Sequence, residues 1–206
     1  MPLNYQLFYQ RHLPHYQPAG AILFITFRLA GSLPQAALQR LDEEKRRLKA
    51  EILQNPDLQI SHQAVYLAQK KLFGTWDAEL DHSKQGPQWL AEPRIAGMVC
   101  DALKYRDGTQ YTLEAYCIMP NHVHMVFAPL VFEGASISLS KIMHSLKGYT
   151  AREANRVLGR QGDFWQHESY DHAVRDEAEL IRIVEYVRLN PSRVGLPETW
   201  VYCRTS

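Results

Sequence analysis

Two histidines one residue apart, His122 and His124, lie in the run YCIMPNHVHMVFAP over residues 116–129, which reads as a β-strand around a Pro-Asn break. Side chains on a strand alternate faces with a period of two. The two imidazoles therefore leave the same face, about 7 Å apart along the strand, while Val123 and Met125 point the other way. Two imidazoles so placed can share one metal ion. A bare His-x-His is more often a pair of solvated side chains on a wet face, so the rest of the chain has to decide.

A second pair lies in LIRIVEYVRLNPSRVG, residues 180–195. On a helical wheel Leu180, Ile183, Val184 and Val187 form one apolar stripe. Tyr186 and Asn190 sit along its border, four residues apart and hence one above the other. Pro191 disfavours helical geometry at the residue before it, which predicts a helix end near Asn190, with Gly195 available to turn the chain away. By themselves these residues describe a tyrosine ring at a core margin and an asparagine capping a helix.

Taken together, the segments resemble a known family. MPNHVH, then a basic helix, the aromatic-rich FWQHESYDHAVRD and EYVRLNPSRVG are similar to the REP-associated tyrosine transposases, relatives of the single-tyrosine insertion-sequence transposases in the HUH superfamily (His, hydrophobic residue, His). RHLPHYQPAGAILFITFRLAGSLP at the start resembles that family's entry into its first strand, so the likeness runs nearly end to end and implies a single HUH tyrosine transposase domain over residues 1–206. By matching position it makes His122 and His124 metal ligands, Tyr186 the nucleophile and Asn190 the third protein ligand. It also implies action on single-stranded DNA carrying imperfect palindromes, with a 5′-phosphotyrosine and a free 3′-hydroxyl as the products of cleavage.

Residue chemistry agrees with that implication. A phosphodiester repels nucleophiles through its own negative oxygens, so a divalent cation beside it must neutralise charge and hold the group in line. Two neutral imidazoles and one amide bring no negative charge and leave the cation's charge for phosphate. Imidazole suits manganese, and open sites completed by water and phosphate suit magnesium, so Mg²⁺ or Mn²⁺ is the expected cofactor. A phenol with a reference pKa near 10 needs help to lose its proton. The sequence identifies no base for it; Glu185 adjoins Tyr186 but points about 100° around the helix. A phenolic nucleophile retains the linkage for rejoining, where water would hydrolyse it, so no phosphate-cradling glycine loop is required.

The formal net charge of +1 over 206 residues excludes a non-specific DNA coater, and any contact with single-stranded or hairpin DNA must come from local patches. Between Lys141 and Arg160 five basic residues stand against one acidic, and Arg152, Arg156 and Arg160 recur every four positions along one ridge. Lys147, Arg152 and Arg156 are the first candidates for phosphate contact, with Arg188 and Arg193 flanking the nucleophile. Trp165, Tyr170 and His172 can stack on bases, although a tryptophan there is more often core. Tyr149, in the basic segment, is the competing nucleophile. His12, His15, His62, His82, His144 and His167 have no partner at ligand spacing.

Three cysteines, Cys100, Cys117 and Cys203, are odd in number and widely separated, which fits a reducing cytoplasm better than a disulfide scaffold. The start of the chain has no charged-then-apolar signal pattern, and the run GAILFITF is too short to span a membrane.

To position these groups the pattern supplies a strand over 21–29, a charged helix over 35–54, and a poorly legible stretch over 55–93 with a helix near 64–73 and a loop at DHSKQGP. A helix over 92–105 and a turn at Asp107-Gly108 follow. Then come strands over 110–119 and 122–128, a helix over 138–158, a mixed segment over 164–174 carrying a short strand, and a helix over 176–190. At 46% hydrophobic with four tryptophans, the chain can bury one sizeable core. The expected fold is α+β, a ferredoxin-like antiparallel sheet with packed helices and the histidines on a central strand, as the resemblance also implies. The expected function is a metal-dependent single-stranded DNA transposase or nickase working at hairpins, with a monomer favoured over a dimer. The alternatives are a domesticated hairpin-binding protein without strand transfer and a metal phosphoesterase that uses water.

Overall fold

The structure is a computed structural model and describes residues 20–54, 62–83 and 85–204. The stretch 11–19 of the family-like start, including His12 and His15, lies outside the described residues. The described chain divides into two compact units, one containing residues 33–86 and the other residues 15–32 and 87–206.

In the smaller unit, α1 (Gln35–Gln54) and α2 (His62–His82) form a helical pair. Leu33, Leu41 and Leu80 make its core, with Leu38 and Trp76 packed against them. An Arg40–Glu79 ion pair at 2.8 Å joins the two helices. α2 runs nine residues beyond the helix expected over 64–73. Gly74 costs helix propensity there, but Trp76 and Leu80, one turn apart, carry the apolar stripe onward, and packing of that stripe outweighs propensity.

The larger unit is built on β1 (Leu23–Leu29), α3 (Pro93–Arg106), β2 (Tyr111–Ile118), β3 (His122–Pro129), α4 (Leu139–Val157), β6 (Trp165–Ala173), α5 (Glu177–Arg193) and β7 (Val201–Cys203). A two-stranded hairpin, β4 (Val131–Phe132) and β5 (Ala135–Ser136), leaves β3. The main sheet has the order β6-β1-β3-β2-β7 with all neighbours antiparallel. β1 and β2 are joined through helix and have β3 inserted between them. This is the split βαβ arrangement of a ferredoxin-like sheet, with β7 added at one edge. The α+β expectation holds, and β3 is the central strand.

β1 is buried along its whole length, because the sheet is covered on both faces. One face meets α3 and α4 in the main core, where Phe27, Leu29, Val123, Met125 and Phe127 pack with Ile95, Val99, Leu103, Ile142 and Leu146. The other face carries Phe24, Thr26, His122 and His124. α5 covers it through the Tyr186 ring, which lies 5.6 Å from the His124 ring and 6.3 Å from Phe24.

The helix starts are set by side chains. Ser138 caps α4 through Lys141 N, and Asp176 caps α5 through Glu179 N at 2.7 Å. α5 does not stop at Asn190 but continues through Pro191 to Arg193. Proline forfeits only its own backbone donor, and in the last turn that loss is small. Gly195, at φ 72°, then turns the chain away as expected. β6 is a full nine-residue strand rather than a short one. As an edge strand with only one neighbour, it hides less apolar surface and leaves a weaker alternation in the sequence.

β6 is fastened to the core helix by Lys147. Its ammonium donates to Gln166 O at 2.9 Å, His167 O at 3.2 Å and Ser169 Oγ at 2.8 Å, and it lies 5.9 Å from the centre of the Phe27 ring. Trp165 is core, donating from Nε1 to Thr150 Oγ1 at 2.8 Å. Charge-assisted bonds of this kind contribute more than neutral ones. Lys147→Met should therefore lower folding stability by about 1–3 kcal/mol in urea denaturation; an unchanged midpoint would show that these bonds do not hold β6.

Candidate active site

The site is assembled by strand pairing. His122 and His124 stand on β3 directly across from Arg28 and Thr26 of β1, respectively, and Cys117 of β2 is the other neighbour of His124. Both imidazoles are completely buried. Their Nε2 atoms are 3.0 Å apart, with the ring planes inclined at 75°. His122 Nδ1 is 2.7 Å from Asn121 Oδ1, and His124 Nδ1 is 2.7 Å from Thr26 Oγ1. The two outer nitrogens are thus anchored while the two inner ones converge.

Burial keeps both rings neutral. It lowers the His122 pKa from 6.5 to about 3. His124 is also held well below its ordinary value, by burial first and by its neighbour's charge second. Neutral imidazole is the form that binds a metal.

On α5, Tyr186 lies against His124, and the Arg193 guanidinium sits 5.0 Å from the centre of the Tyr186 ring. Asn190, one turn further on, is fully buried. Among the described residues neither its amide oxygen nor its nitrogen has a hydrogen-bond partner. A buried amide with neither atom satisfied costs free energy in the absence of a ligand, and the same helix edge carries the tyrosine. The donor set of two neutral imidazoles and an orphaned amide oxygen fits a divalent cation, and the amide is not acting as the helix cap that the sequence also allowed.

The remaining candidates separate by face. Tyr149 is on α4, which packs on the sheet face opposite the histidines, and it is exposed with Arg106 over its ring at 5.7 Å. Arg152 and Arg156 are exposed on that same helix, Arg156 paired with Glu153 at 2.8 Å. Arg188 and Arg193 share the helix of Tyr186. Arg188 pairs with Glu185 at 2.7 Å, and this bond holds the Glu185 carboxyl below its usual range, which makes Glu185 a poor base for the phenol.

Three residues near the histidines escaped the sequence reading: Thr26, Arg28 and Asn121. Arg28 is buried, with Nη1 3.3 Å from Ser32 Oγ and 3.4 Å from Leu29 O. The available signal was Thr-x-Arg in LFITFRL, the only polar residues in an apolar strand, spaced like the histidines they face.

With this geometry in view, the similarities to known proteins have a structural meaning. Residues 99–190 match the family described as "Transposase IS200 like", a segment that spans both histidines, Tyr186 and Asn190. The chain thus stands among the IS200-like transposases, with REP-associated tyrosine transposases as its homologues. A protein of Haemophilus influenzae named as a REP-associated tyrosine transposase is 24% identical, covering 48% of this chain and 65% of the relative. A second, uncharacterised H. influenzae protein is 28% identical, covering 40% and 55%. The matches therefore span less than two thirds of either relative. A solved structure of a REP-associated tyrosine transposase bound to a REP hairpin superposes with a TM-score of 0.51 at 13% identity, covering 93% of this chain and 82% of that one. It has the same fold. Among the described residues no helix is long and apolar enough to cross a membrane.

Two outcomes are expected of the site. The histidines stay unprotonated in the fold while the unfolded chain takes up protons below pH 6.5. Stability is therefore lost as pH falls through that value, by about 1.4 kcal/mol per pH unit per histidine; for His122 the loss levels off near pH 3. Urea denaturation across this window should show a shallower acid slope for His122→Gln than for the wild type, and equal slopes would contradict the burial argument. Replacing the orphaned amide by an apolar isostere, Asn190→Leu, should raise stability in chelator by about 1–3 kcal/mol and abolish Mn²⁺ binding in calorimetry. A loss of stability would mean that the amide is structural.

Proposed function

We propose that this chain is a metal-dependent single-stranded DNA transposase and nickase that cleaves and rejoins DNA at hairpin sequences through a 5′-phosphotyrosine on Tyr186. The observation that carries the reading is the placement of Tyr186 against His124 while the Nε2 atoms of His124 and His122 converge at 3.0 Å. His122, His124 and the Asn190 amide oxygen would hold Mg²⁺ or Mn²⁺, which when bound supplies Lewis-acid neutralisation of the scissile phosphate.

The protein's own residues account for the rest. The Tyr186 oxygen gives up its proton and bonds to phosphorus as the bond from phosphorus to the 3′-oxygen breaks; that oxygen leaves as a 3′-hydroxyl after taking a proton. Attack by another 3′-hydroxyl reverses these steps and releases the tyrosine, so rejoining needs no nucleotide triphosphate. A guanidinium over the Tyr186 ring favours negative charge on the phenol, which is the part assigned to Arg193. Arg188 and Arg193 lie beside the cleaved strand in this reading, and Arg152 and Arg156, across the sheet, contact flanking hairpin phosphates. Lys147 serves chiefly to hold β6. Tyr186 faces histidines of its own chain, which supports a monomer that cleaves in cis.

The test is labelled hairpin DNA incubated with protein and Mn²⁺ and resolved under denaturing conditions. The wild type and Tyr149→Phe should each yield a covalent adduct, and Tyr186→Phe none, although it still shifts the DNA in a native gel. An adduct formed by Tyr186→Phe would transfer the role to another tyrosine. Cleavage without any adduct would establish the water-using phosphoesterase, and neither cleavage nor adduct in any protein would leave a hairpin-binding protein.

A further inference from the structure

We infer that Thr26 is a positioning residue whose hydroxyl sets which nitrogen of His124 carries the proton, and so whether the two histidines can take a cation together. The inference rests on the metal-site reading above and concerns a residue which that reading does not use.

A count of protons leads to it. Asn121 Oδ1 can only accept, so His122 Nδ1, 2.7 Å away, donates to it and bears the proton of that ring. His122 Nε2 is then a bare lone pair. Facing it at 3.0 Å, His124 Nε2 must donate. A neutral imidazole has one proton, so His124 Nδ1 is an acceptor, and Thr26 Oγ1 at 2.7 Å donates to it. The chain runs from Thr26 through His124 and His122 to Asn121, with every bond matched.

That arrangement is self-consistent and closed to a metal, because one of the two converging nitrogens is protonated. Opening it requires both Nε2 atoms to present lone pairs. His124 then loses its proton from Nε2 and gains one at Nδ1, a tautomeric change with no net proton transfer, and Nδ1 becomes a donor. Its partner must turn from donor to acceptor. A hydroxyl does this by rotating about its C–O bond, without moving a heavy atom. Thr26 is fully buried and paired in register with His124 across β1 and β3, so the reversible partner is fixed at the nitrogen where the reversal is needed. Outer partners of metal-binding histidines fix tautomer and ring orientation in this way.

The experiment compares the wild type, Thr26→Val, Thr26→Ser and His122→Ala. Mn²⁺ binding is measured by calorimetry, and imidazole ¹⁵N spectra are recorded with and without Mg²⁺. In the wild type the His124 proton should move from Nε2 to Nδ1 on saturation with Mg²⁺. Thr26→Val, which keeps the shape but cannot accept, should bind Mn²⁺ about 10–100-fold more weakly, and Thr26→Ser should recover most of the affinity. Mn²⁺ binding by Thr26→Val at wild-type strength would overturn the role of Thr26 while leaving the metal site intact. Unchanged His124 tautomers with and without Mg²⁺ in a wild type that binds would do the same. A wild type that binds no better than His122→Ala would overturn the metal reading and this inference together. Should Thr26→Val fail to fold, the wild-type spectra and the serine variant still decide.

Discussion

Two imidazole nitrogens held 3.0 Å apart in a dry interior are the constraint around which the larger unit is arranged. In water such a pair would separate or protonate. Here the β-pleat points both rings to one face of the central strand, and antiparallel pairing with β1 brings Thr26 opposite His124. The Asn121 amide anchors the other ring from the residue just before the strand. The rings can neither rotate away nor take up charge cheaply, and their remaining freedom is the location of two protons. A pair that is neutral and prepositioned is ready to receive a cation without reorganisation.

Such a face adds little to stability. Buried histidines, an unsatisfied Asn190 amide and the buried guanidinium of Arg28 replace the apolar packing that a sheet face ordinarily supplies. The opposite face compensates, with Phe27, Met125 and Phe127 interlocked with α3 and α4 and with aromatic contacts such as Phe27 to Trp165 at 4.8 Å. One side of the sheet holds the fold and the other the chemistry. This division gives a physical reason for the position of α5. It is the helix that can deliver a tyrosine and an amide to the histidine face, because its apolar stripe borders the edge on which both are carried.

The same division explains what the sequence made legible. The His-x-His pair and the Tyr186–Asn190 edge are periodic features, with period two on a strand and four on a helix, and periodicity survives in a linear chain. The strand order followed from alternating helices and strands, and the boundaries of α1 and α4 from cap residues and charge. What the sequence withheld depends on pairing across long separations. Thr26 lies 98 positions from the histidine it anchors, and a threonine in a β-rich run looks like ordinary strand filler. The basic residues of α4 share one ridge on a helical wheel, yet Lys147 turns to the carbonyls of β6, a fate decided by the neighbouring strand. β7 and the β4–β5 hairpin are too short for any period to register. The run of α5 through Pro191 reflects a local preference overridden in the last turn, where few hydrogen bonds were at stake.

The central claim is that the histidine pair and the Asn190 amide hold one divalent cation beside Tyr186. Anomalous diffraction at the manganese edge, from crystals soaked in Mn²⁺, tests it most directly. The account requires a single strong peak within coordination reach of His122 Nε2, His124 Nε2 and the Asn190 side chain. The absence of a peak there at saturating Mn²⁺, or a peak ligated by other residues with the two histidines still bonded to each other, would contradict it.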